Sequence, residues 1–507
     1  MVTFSGFLLG NIHVNVSSQY SLNDILSAVR EGKRTEAQAL ITYFIETEPD
    51  LKTDWSKVAA LALRIGDIKL ARQAADFFHQ CCVKSAETDI HYAGLCAEIG
   101  DLNKALRVVS PYIARKVALP SVYHLAGTVQ AQQGRLQEAR LNLLQALALA
   151  PHLGISWYTL ASIVDFNQHP GLLQKMEFAF SQLRADDQRN FQQFMYALAK
   201  AFNDLREYAK AWEFYKAGAQ IMADISEYSV DNNTREINRL IAGFNNTSLQ
   251  QLPQSRSAYN AGVAILGLPR SGTTLLGQML CAHSKVKGAG EFNAIGVACM
   301  HLRDNNFTDF PSFIARHGHS VAALEHIANI YQQVAEQRYS GQGYIIDKSL
   351  NLNRHFGIWA QVMPLGKAIY ISRNDEDTAW SCFKSNFRSQ AGWSWSVSHI
   401  AAYIKNERRL LQHWQKLYAN RILHIRYEDL VARPQEVLTR ICQHLELQYE
   451  PAMLSFYKSS SPVFTSSIGQ VHQPLHQGNI GLSQHYPDFV SQLAQANKAV
   501  GVGADIS

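Results

Sequence analysis

The stretch Gly267-Leu-Pro-Arg-Ser-Gly-Thr-Thr274 concentrates the residue types that hold an anion: two glycines, an arginine and three hydroxyls in eight residues. It keeps the glycines and terminal hydroxyl of the phosphate-loop pattern G-x-x-x-x-G-K-[ST], with Thr273 where the lysine belongs. That lysine reaches the β- and γ-phosphates of a nucleoside triphosphate. A loop that keeps the backbone cradle and drops the lysine therefore suits a nucleotide with no γ-phosphate, and Arg270 supplies the cation. Gly272 lets the backbone come close, while Thr273 and Thr274 add hydroxyl donors. A second set follows in Lys367-Ala-Ile-Tyr-Ile-Ser-Arg373, a strand pattern ending in arginine. Arginine at the carboxyl end of a strand stands where open α/β sheets take their ligands. Ser381 lies about two helical turns further on and can add a hydroxyl to the same anion. The intervening Asn374-Asp-Glu-Asp377 suits the positive end of a helix and reads as structural.

The elements that must position these groups are legible nearby. Val263 to Leu266 is a short apolar run with β-branched residues, and Leu275, Leu276, Met279 and Leu280 follow the loop at helical spacing. Strand, phosphate loop and helix in that order are the unit of a parallel α/β domain, with loop N–H groups and the helix dipole converging on one place.

At 507 residues the chain exceeds one core, and two or three domains are expected. A composition of 47% apolar and 18% charged residues is ordinary globular, and a net charge of +5 is too mild to argue for nucleic acid. The seven cysteines (81, 82, 96, 281, 299, 382 and 442) lack the spacing of a zinc site or a disulfide framework, so reduced thiols in a cytoplasmic protein are expected, with Cys81 and Cys82 in a helical core. The first residues lack the basic and apolar regions of a signal peptide, and no apolar run has the length of a spanning helix. Glycosylation triplets such as those at Asn15, Asn232 and Asn306 read as chance without a secretory signal.

Gly32, Gly66, Gly100 and Gly134 recur every 34 residues, and Ala37, Ala71, Ala105 and Ala139 recur in phase. Trp55, Tyr123 and Trp157 mark repeat starts, Gly127 follows Tyr123 by four, and Pro49 and Pro151 stand near repeat ends. This period resembles that of the tetratricopeptide repeat. Glycine permits the turn within each helix pair and alanine lets the two backbones approach. The pattern loses its glycine at Gln168 and resumes with Leu198, Ala199, Phe202, Ala211 and Tyr215, so the array covers roughly residues 18 to 220. The concave face of such a solenoid takes extended peptides or partner helices; alternatively it packs on the second half or makes a homodimer. Residues 224 to 260 are polar and turn-rich and are taken as the boundary. Residues 1–250 are then repeats with linker, and 251–507 a second domain.

That second domain resembles the sulfotransferases that use 3′-phosphoadenosine 5′-phosphosulfate (PAPS), and among them is most similar to the protein-tyrosine branch and its bacterial relatives. The resemblance implies that Arg270, Ser271, Gly272, Thr273 and Thr274 hold the 5′-phosphosulfate and that Arg373 and Ser381 hold the 3′-phosphate. It implies further that Glu291, in Lys287-Gly-Ala-Gly-Glu-Phe292, is the general base and that Lys348, in Ile346-Asp-Lys-Ser349, acts on the sulfuryl group with Arg270. Tyr427, in Leu423-His-Ile-Arg-Tyr-Glu-Asp-Leu430, lines the nucleotide site on the same ground. The segment Thr465-Ser-Ser-Ile-Gly-Gln-Val-His-Gln-Pro474 resembles the family's closing segment, with Ser467 touching the nucleotide and His472 where relatives often carry arginine or lysine.

The expected architecture is thus an all-α tetratricopeptide solenoid followed by an α/β, P-loop-like sulfotransferase domain with a central parallel sheet. The expected reaction is metal-independent sulfuryl transfer from PAPS to a hydroxyl, taken as tyrosine of a protein or peptide recruited by the repeats. The alternatives are a carbohydrate or small-molecule acceptor, a nucleotide kinase with a degenerate loop, against which Thr273 argues, and a non-catalytic scaffold. His355 and His301 are rival bases. The structural alternatives are surface cations for Arg270 and Arg373, a solvated turn for Glu291, a surface ion pair for Lys348, and a core ring for Tyr427.

Overall fold

The computed structural model describes residues 20–183, 187–247, 255, 262–300, 302, 321–339, 343–387, 391–458 and 473–501. Ser467, His472, His301, Asn15 and Asn306 lie outside the described residues.

Helices fill the first half. They run as pairs: α1 (Leu22–Glu31) with α2 (Arg34–Thr47), α3 (Trp55–Arg64) with α4 (Ile68–Cys81), α5 (Ala86–Ile99) with α6 (Leu102–Ala114), and α7 (Pro120–Gln132) with α8 (Leu136–Leu149). Each of the four periodic glycines sits at a turn with φ of +76, +74, +101 and +77°, a region that glycine enters without the side-chain clash. The four in-phase alanines are buried, which fits close backbone approach inside each pair. Beyond Trp157 the spacing loosens. Here α9 (Gly154–Ala161) is short, Gln168 falls in a single 3₁₀ turn, and α10 (Pro170–Ser181) precedes a last long pair, α11 (Gln188–Asp204) and α12 (Tyr208–Asp224). Leu198, Ala199, Phe202, Ala211 and Tyr215 are all buried in that pair.

Cys81 is exposed and Cys82 half-buried, contrary to expectation, because α4 ends at Cys81 and the chain turns out to solvent there. All seven thiols are unbridged. The polar segment after α12 also differs from a simple linker. It holds α13 (Val230–Gly243), whose Ile237, with Phe244 just after it, is buried against Trp359 and Trp414 of the second half. Its polar face finds partners there: Arg354 donates to Asn233 and Asn406 donates to Thr234.

Among the described residues the second half holds a five-stranded parallel sheet in the order β2-β3-β1-β4-β5, built from β1 (Gly262–Leu266), β2 (Val286–Gly290), β3 (Tyr344–Asp347), β4 (Lys367–Ser372) and β5 (Ile422–Arg426). Its central strands β1 and β4 are apolar and buried on both faces, as a covered parallel sheet requires, while the edge strands β2 and β5 carry polar residues. Val263 and Ile265 point into one layer, with α14 (Thr273–Cys281), α20 (Tyr427–Ala432) and α21 (Pro434–His444). Ala264 and Leu266 point into the other, with α15 (Ala294–Ala298), α16 (Val321–Arg338), α17 (Leu352–Val362) and α19 (Val397–Leu417).

The two halves are joined by packing as well as by chain. Helices α9 to α12 share one apolar core with α18 (Asp375–Phe383), α19 and α22 (Pro487–Ala499). Trp380 lies at its centre, 3.8 Å from the ring of Tyr486 and 5.5 Å, edge to face, from that of Tyr215. A second contact lies at the other end of the array. The Gln337 amide oxygen accepts from the N–H groups of Ile68 and Lys69 at the start of α4, and Arg338 donates to the Ile99 carbonyl.

Candidate active site

The sheet brings the chemistry-bearing residues to its carboxyl edge. The anion loop follows β1, Glu291 follows β2, Lys348 follows β3, Arg373 follows β4 and Tyr427 follows β5. Strand order reverses beside β1, with β3 and β2 on one side and β4 and β5 on the other, and such a switch point opens a crevice for ligand.

Within the loop, Gly272 caps α14 at φ +103°, and Thr273 and Thr274 open the helix. A Cβ at position 272 would stand 2.6 Å from Cδ2 of Tyr427, so glycine is needed for the loop to lie on that ring. Arg270 also lies in the left-handed region, at φ +69°, which costs a residue with a side chain about 1–2 kcal/mol. The conformation is held from outside the loop. Asn353 on α17 accepts from the Gly267 N–H and donates to the Gly267 carbonyl, and Glu407 on α19 holds the same Asn353 amide. The buried Cys382 thiol donates to the Pro269 carbonyl.

Arg270, Arg373, Ser381 and Tyr427 come together in one network. Arg270 Nε donates to Ser381 Oγ at 2.9 Å, and Arg373 donates to the Arg270 carbonyl at 3.1 Å. The Arg373 guanidinium lies 4.9 Å from the centre of the Tyr427 ring, within cation–π range. The Arg373 side chain is 8% exposed, which rules out a surface cation. Burial pushes the Arg270 guanidinium below its usual value, and Arg373 beside it adds to that. Two polar atoms here are buried without a hydrogen-bond partner among the described residues, Ser271 Oγ and Arg373 Nε. The acidic run is structural, as its sequence suggests. Asn374 caps α18, Asp375 pairs with Arg408, and Asp377 accepts from the N–H groups of Gly481 and Ser483.

Glu291 and Lys348 form a second group. Lys348 Nζ lies 2.8 Å from the Glu291 carboxylate, with side-chain exposures of 4% and 28%. The buried lysine is thus paired with a carboxylate that reaches solvent, and its stem runs past α14 where Gly277 leaves it room. His355 instead turns back on its own helix, its ring nitrogen 3.0 Å from the Asn351 carbonyl.

Several residues of the site escape sequence reasoning. Asn353 is one, because its contact with the loop spans 86 positions. Lys384 is another, three residues past Ser381 on the same helix face, a spacing that could have flagged it. Burial, reinforced by Arg270 and Arg373, pushes its ammonium down to about 7. Tyr158 comes from the helical half; its hydroxyl accepts from the Asn386 N–H and stands in the field of Arg270. Tyr196, also from that half, donates to the Phe383 carbonyl.

A parallel α/β sheet with a glycine-rich loop and converging cations at its switch point defines an anion-binding α/β domain. Comparison with known proteins narrows this: residues 262–451 match the model of the sulfotransferase family. A protein of Aquifex aeolicus (strain VF5), described as uncharacterized, is 26% identical over 310 residues, 59% of this chain and 40% of its own length. The chain therefore spans well under half of that relative. Among solved structures, the sulfotransferase domain of the Synechococcus PCC 7002 olefin synthase is 21% identical and covers 46% of this chain and 98% of its own, with a TM-score of 0.31. A sulfotransferase from Mycobacterium tuberculosis H37Rv is 12% identical, covering 68% and 98%, with a TM-score of 0.27.

Proposed function

We propose that the protein transfers a sulfuryl group from PAPS to the hydroxyl of a tyrosine in a protein or peptide, and that the helical half, read as a tetratricopeptide array, presents that acceptor. The observation that carries the reading is the linked set Arg373, Arg270 and Ser381 beside the loop after β1. Buried Ser271 Oγ and Arg373 Nε, each lacking a partner, fit a ligand that brings acceptor oxygens, and the bare Gly272 backbone against Tyr427 fits a close-lying phosphate.

PAPS supplies the sulfuryl group and leaves as the bisphosphate. The loop N–H groups with Ser271, Thr273 and Thr274 hold its 5′ end, and Arg373 with Ser381 holds the 3′-phosphate. Tyr427 lines the nucleotide, and Ser467 is assigned there by resemblance alone. Glu291 takes the proton of the acceptor hydroxyl. Lys348 and Arg270 aim positive charge at the sulfuryl oxygens as charge moves to the leaving phosphate. Positioning and electrostatics are enough for this step, so no metal is assigned to it. Among the described residues there is no group of three or more metal-ligating side chains.

The recruiting role draws support from a largely apolar pocket between α5 and α7, lined by Ile90, Ala97, Leu125 and Val129 with His124 and Gln132. The unbridged thiols fit a reducing, cytoplasmic setting. Among the described residues no helix is long and apolar enough to cross a membrane.

Calorimetry with adenosine 3′,5′-bisphosphate tests the donor site. The folded protein is expected to bind it, and Arg373→Ala with Ser381→Ala should remove contacts of about 1.5–3 kcal/mol each, weakening binding on the order of 10²- to 10⁴-fold. Binding that survives the double substitution overturns the site; no binding by the folded protein overturns the donor. A pH series reports on Lys384. Above pH 7 the phosphates are already dianionic, since their second pKa is about 6. Loss of the Lys384 proton, whose pKa is lowered to about 7, should therefore weaken binding between pH 7 and 9, and Lys384→Met should flatten that slope. Labelled PAPS given to a protein pool, with the sulfated residue identified, tests the acceptor; a sugar or small molecule as sole product overturns the tyrosine assignment and leaves the donor site standing.

A further inference from the structure

Behind Glu291 lies a set of bonds that the chemistry above does not use. Lys348 N–H donates to the Gly290 carbonyl at 3.1 Å, closing the β2 to β3 ladder one residue before Glu291. Two residues beyond Glu291, Asn293 N–H donates to Ser349 Oγ at 2.8 Å. Ser349 in turn gives both its own protons to one oxygen of Asp347, its hydroxyl at 2.6 Å and its N–H at 3.0 Å. Asp347 is fully buried at the end of β3, and Ser349 is 7% exposed. Asn293 has φ +49°, a left-handed conformation that asparagine enters more readily than most residues with a side chain, and the bond to Ser349 holds the turn there.

The directions of these bonds are fixed by their chemistry. A backbone N–H can only donate, so Ser349 Oγ must accept from Asn293, and its single proton then goes to Asp347. The carboxylate thus sets the hydroxyl, and the hydroxyl sets the backbone that presents Glu291. We propose that Asp347 and Ser349 are positioning residues for Glu291, holding the turn 291–293 so that the carboxylate meets both Lys348 and the acceptor hydroxyl. This inference rests on Glu291 being the general base.

The relay has a pH sense. Burial pushes the Asp347 carboxyl up to about 6, against the opposing pull of the Ser349 hydroxyl and N–H, the Tyr331 hydroxyl and Lys348. Tyr339, at the end of α16, is the other titratable group in its field. Among the described residues, the groups facing Asp347 are therefore one cation, two phenols and a hydroxyl. Below about pH 6 the carboxyl is neutral, its bonds to Ser349 lose their charge assistance, and the turn slackens; above it the relay is fully formed.

The experiment compares kcat, KM and pH profile for Asp347→Asn, Ser349→Ala and Ser349→Thr in the full chain, with Glu291→Gln alongside. Asp347→Asn and Ser349→Ala are expected to lower kcat on the order of 10- to 10²-fold, as sub-ångström misplacement of a catalytic group does. Binding of adenosine 3′,5′-bisphosphate should stay within about twofold, because the relay's side-chain hydrogen bonds run to the turn after β2 and the donor network is built from Arg270, Arg373 and Ser381. Ser349→Thr should restore most of kcat, and Asp347→Asn should lose the acid limb near pH 6. Should Asp347→Asn fail to fold, the serine pair carries the test. Wild-type kcat and an unchanged acid limb in the relay variants, with Glu291→Gln inactive, overturn the relay while leaving the base in place. A fully active Glu291→Gln overturns the base itself and the relay with it.

Discussion

Replacing Glu291 by glutamine is expected to lower kcat by about 10²- to 10⁴-fold, the usual worth of a positioned general base. Glutamine has nearly the shape of glutamate, and its carbonyl oxygen can still accept from Lys348 Nζ, which lies 2.8 Å from the carboxylate. The substitution therefore keeps the pair's geometry and removes proton acceptance. KM for the donor and the affinity for adenosine 3′,5′-bisphosphate should change little, since Arg270, Arg373 and Ser381 form a separate network. Lys348→Met gives the contrasting pattern. In the proposed reaction it removes a charge aimed at the transferring group, and it leaves Glu291, 28% exposed, to solvent, so both kcat and the pH profile should move. The measurement is steady-state transfer of labelled sulfate, with the variants matched for thermal stability. A Glu291→Gln enzyme within a few-fold of wild type removes Glu291 from the proton step.

How much of this site was legible in the sequence depends on how far apart the interacting residues lie. The strand, loop and helix around Gly267 to Thr274 are local, and the expected strand Val263 to Leu266 lies within β1, one residue longer. The strand Lys367 to Ser372 was legible for the same reason. The glycines every 34 residues marked real turns because a positive φ excludes most other residues, so the backbone writes its demand into the sequence. Long-range partners leave no such mark. The polar residues Asn233 and Thr234 looked like linker because their partners, Arg354 and Asn406, are more than a hundred residues away. Tyr158 looked like an ordinary helix residue, yet its hydroxyl meets the segment after Ser381 across 228 positions. Cys81 misled in the opposite sense, since helical periodicity does not tell where the helix ends.

Cutting the chain near residue 250 is expected to yield no cooperatively folded sulfotransferase-family fragment, and Trp380→Ala is expected to cost the full chain about 3–5 kcal/mol. The two results have one cause. Trp380 is 1% exposed, and the rings around it come from both halves: Trp212 and Tyr215 from α12, Phe383 from its own helix, and Tyr486 and Phe489 from the chain's end. Removing the helical half strips Trp212, Tyr215 and the Tyr196 bond to Phe383 from α18 in one step, which exposes a large aromatic surface. The same helix carries Ser381, next to Trp380 in sequence and 2.9 Å from Arg270. Loss of the core should therefore loosen the donor site, and Trp380→Ala should weaken adenosine 3′,5′-bisphosphate binding although the ring touches no catalytic group. Trp55→Ala, in the second helix pair and equally buried, provides the control: it should destabilise the array and leave donor binding intact. Denaturant unfolding followed by tryptophan fluorescence and by donor-site calorimetry distinguishes the cases. One coincident transition fits a helical half that is a wall of the enzyme, whereas two separate transitions, with a soluble fragment that binds the bisphosphate, would make it a detachable adaptor.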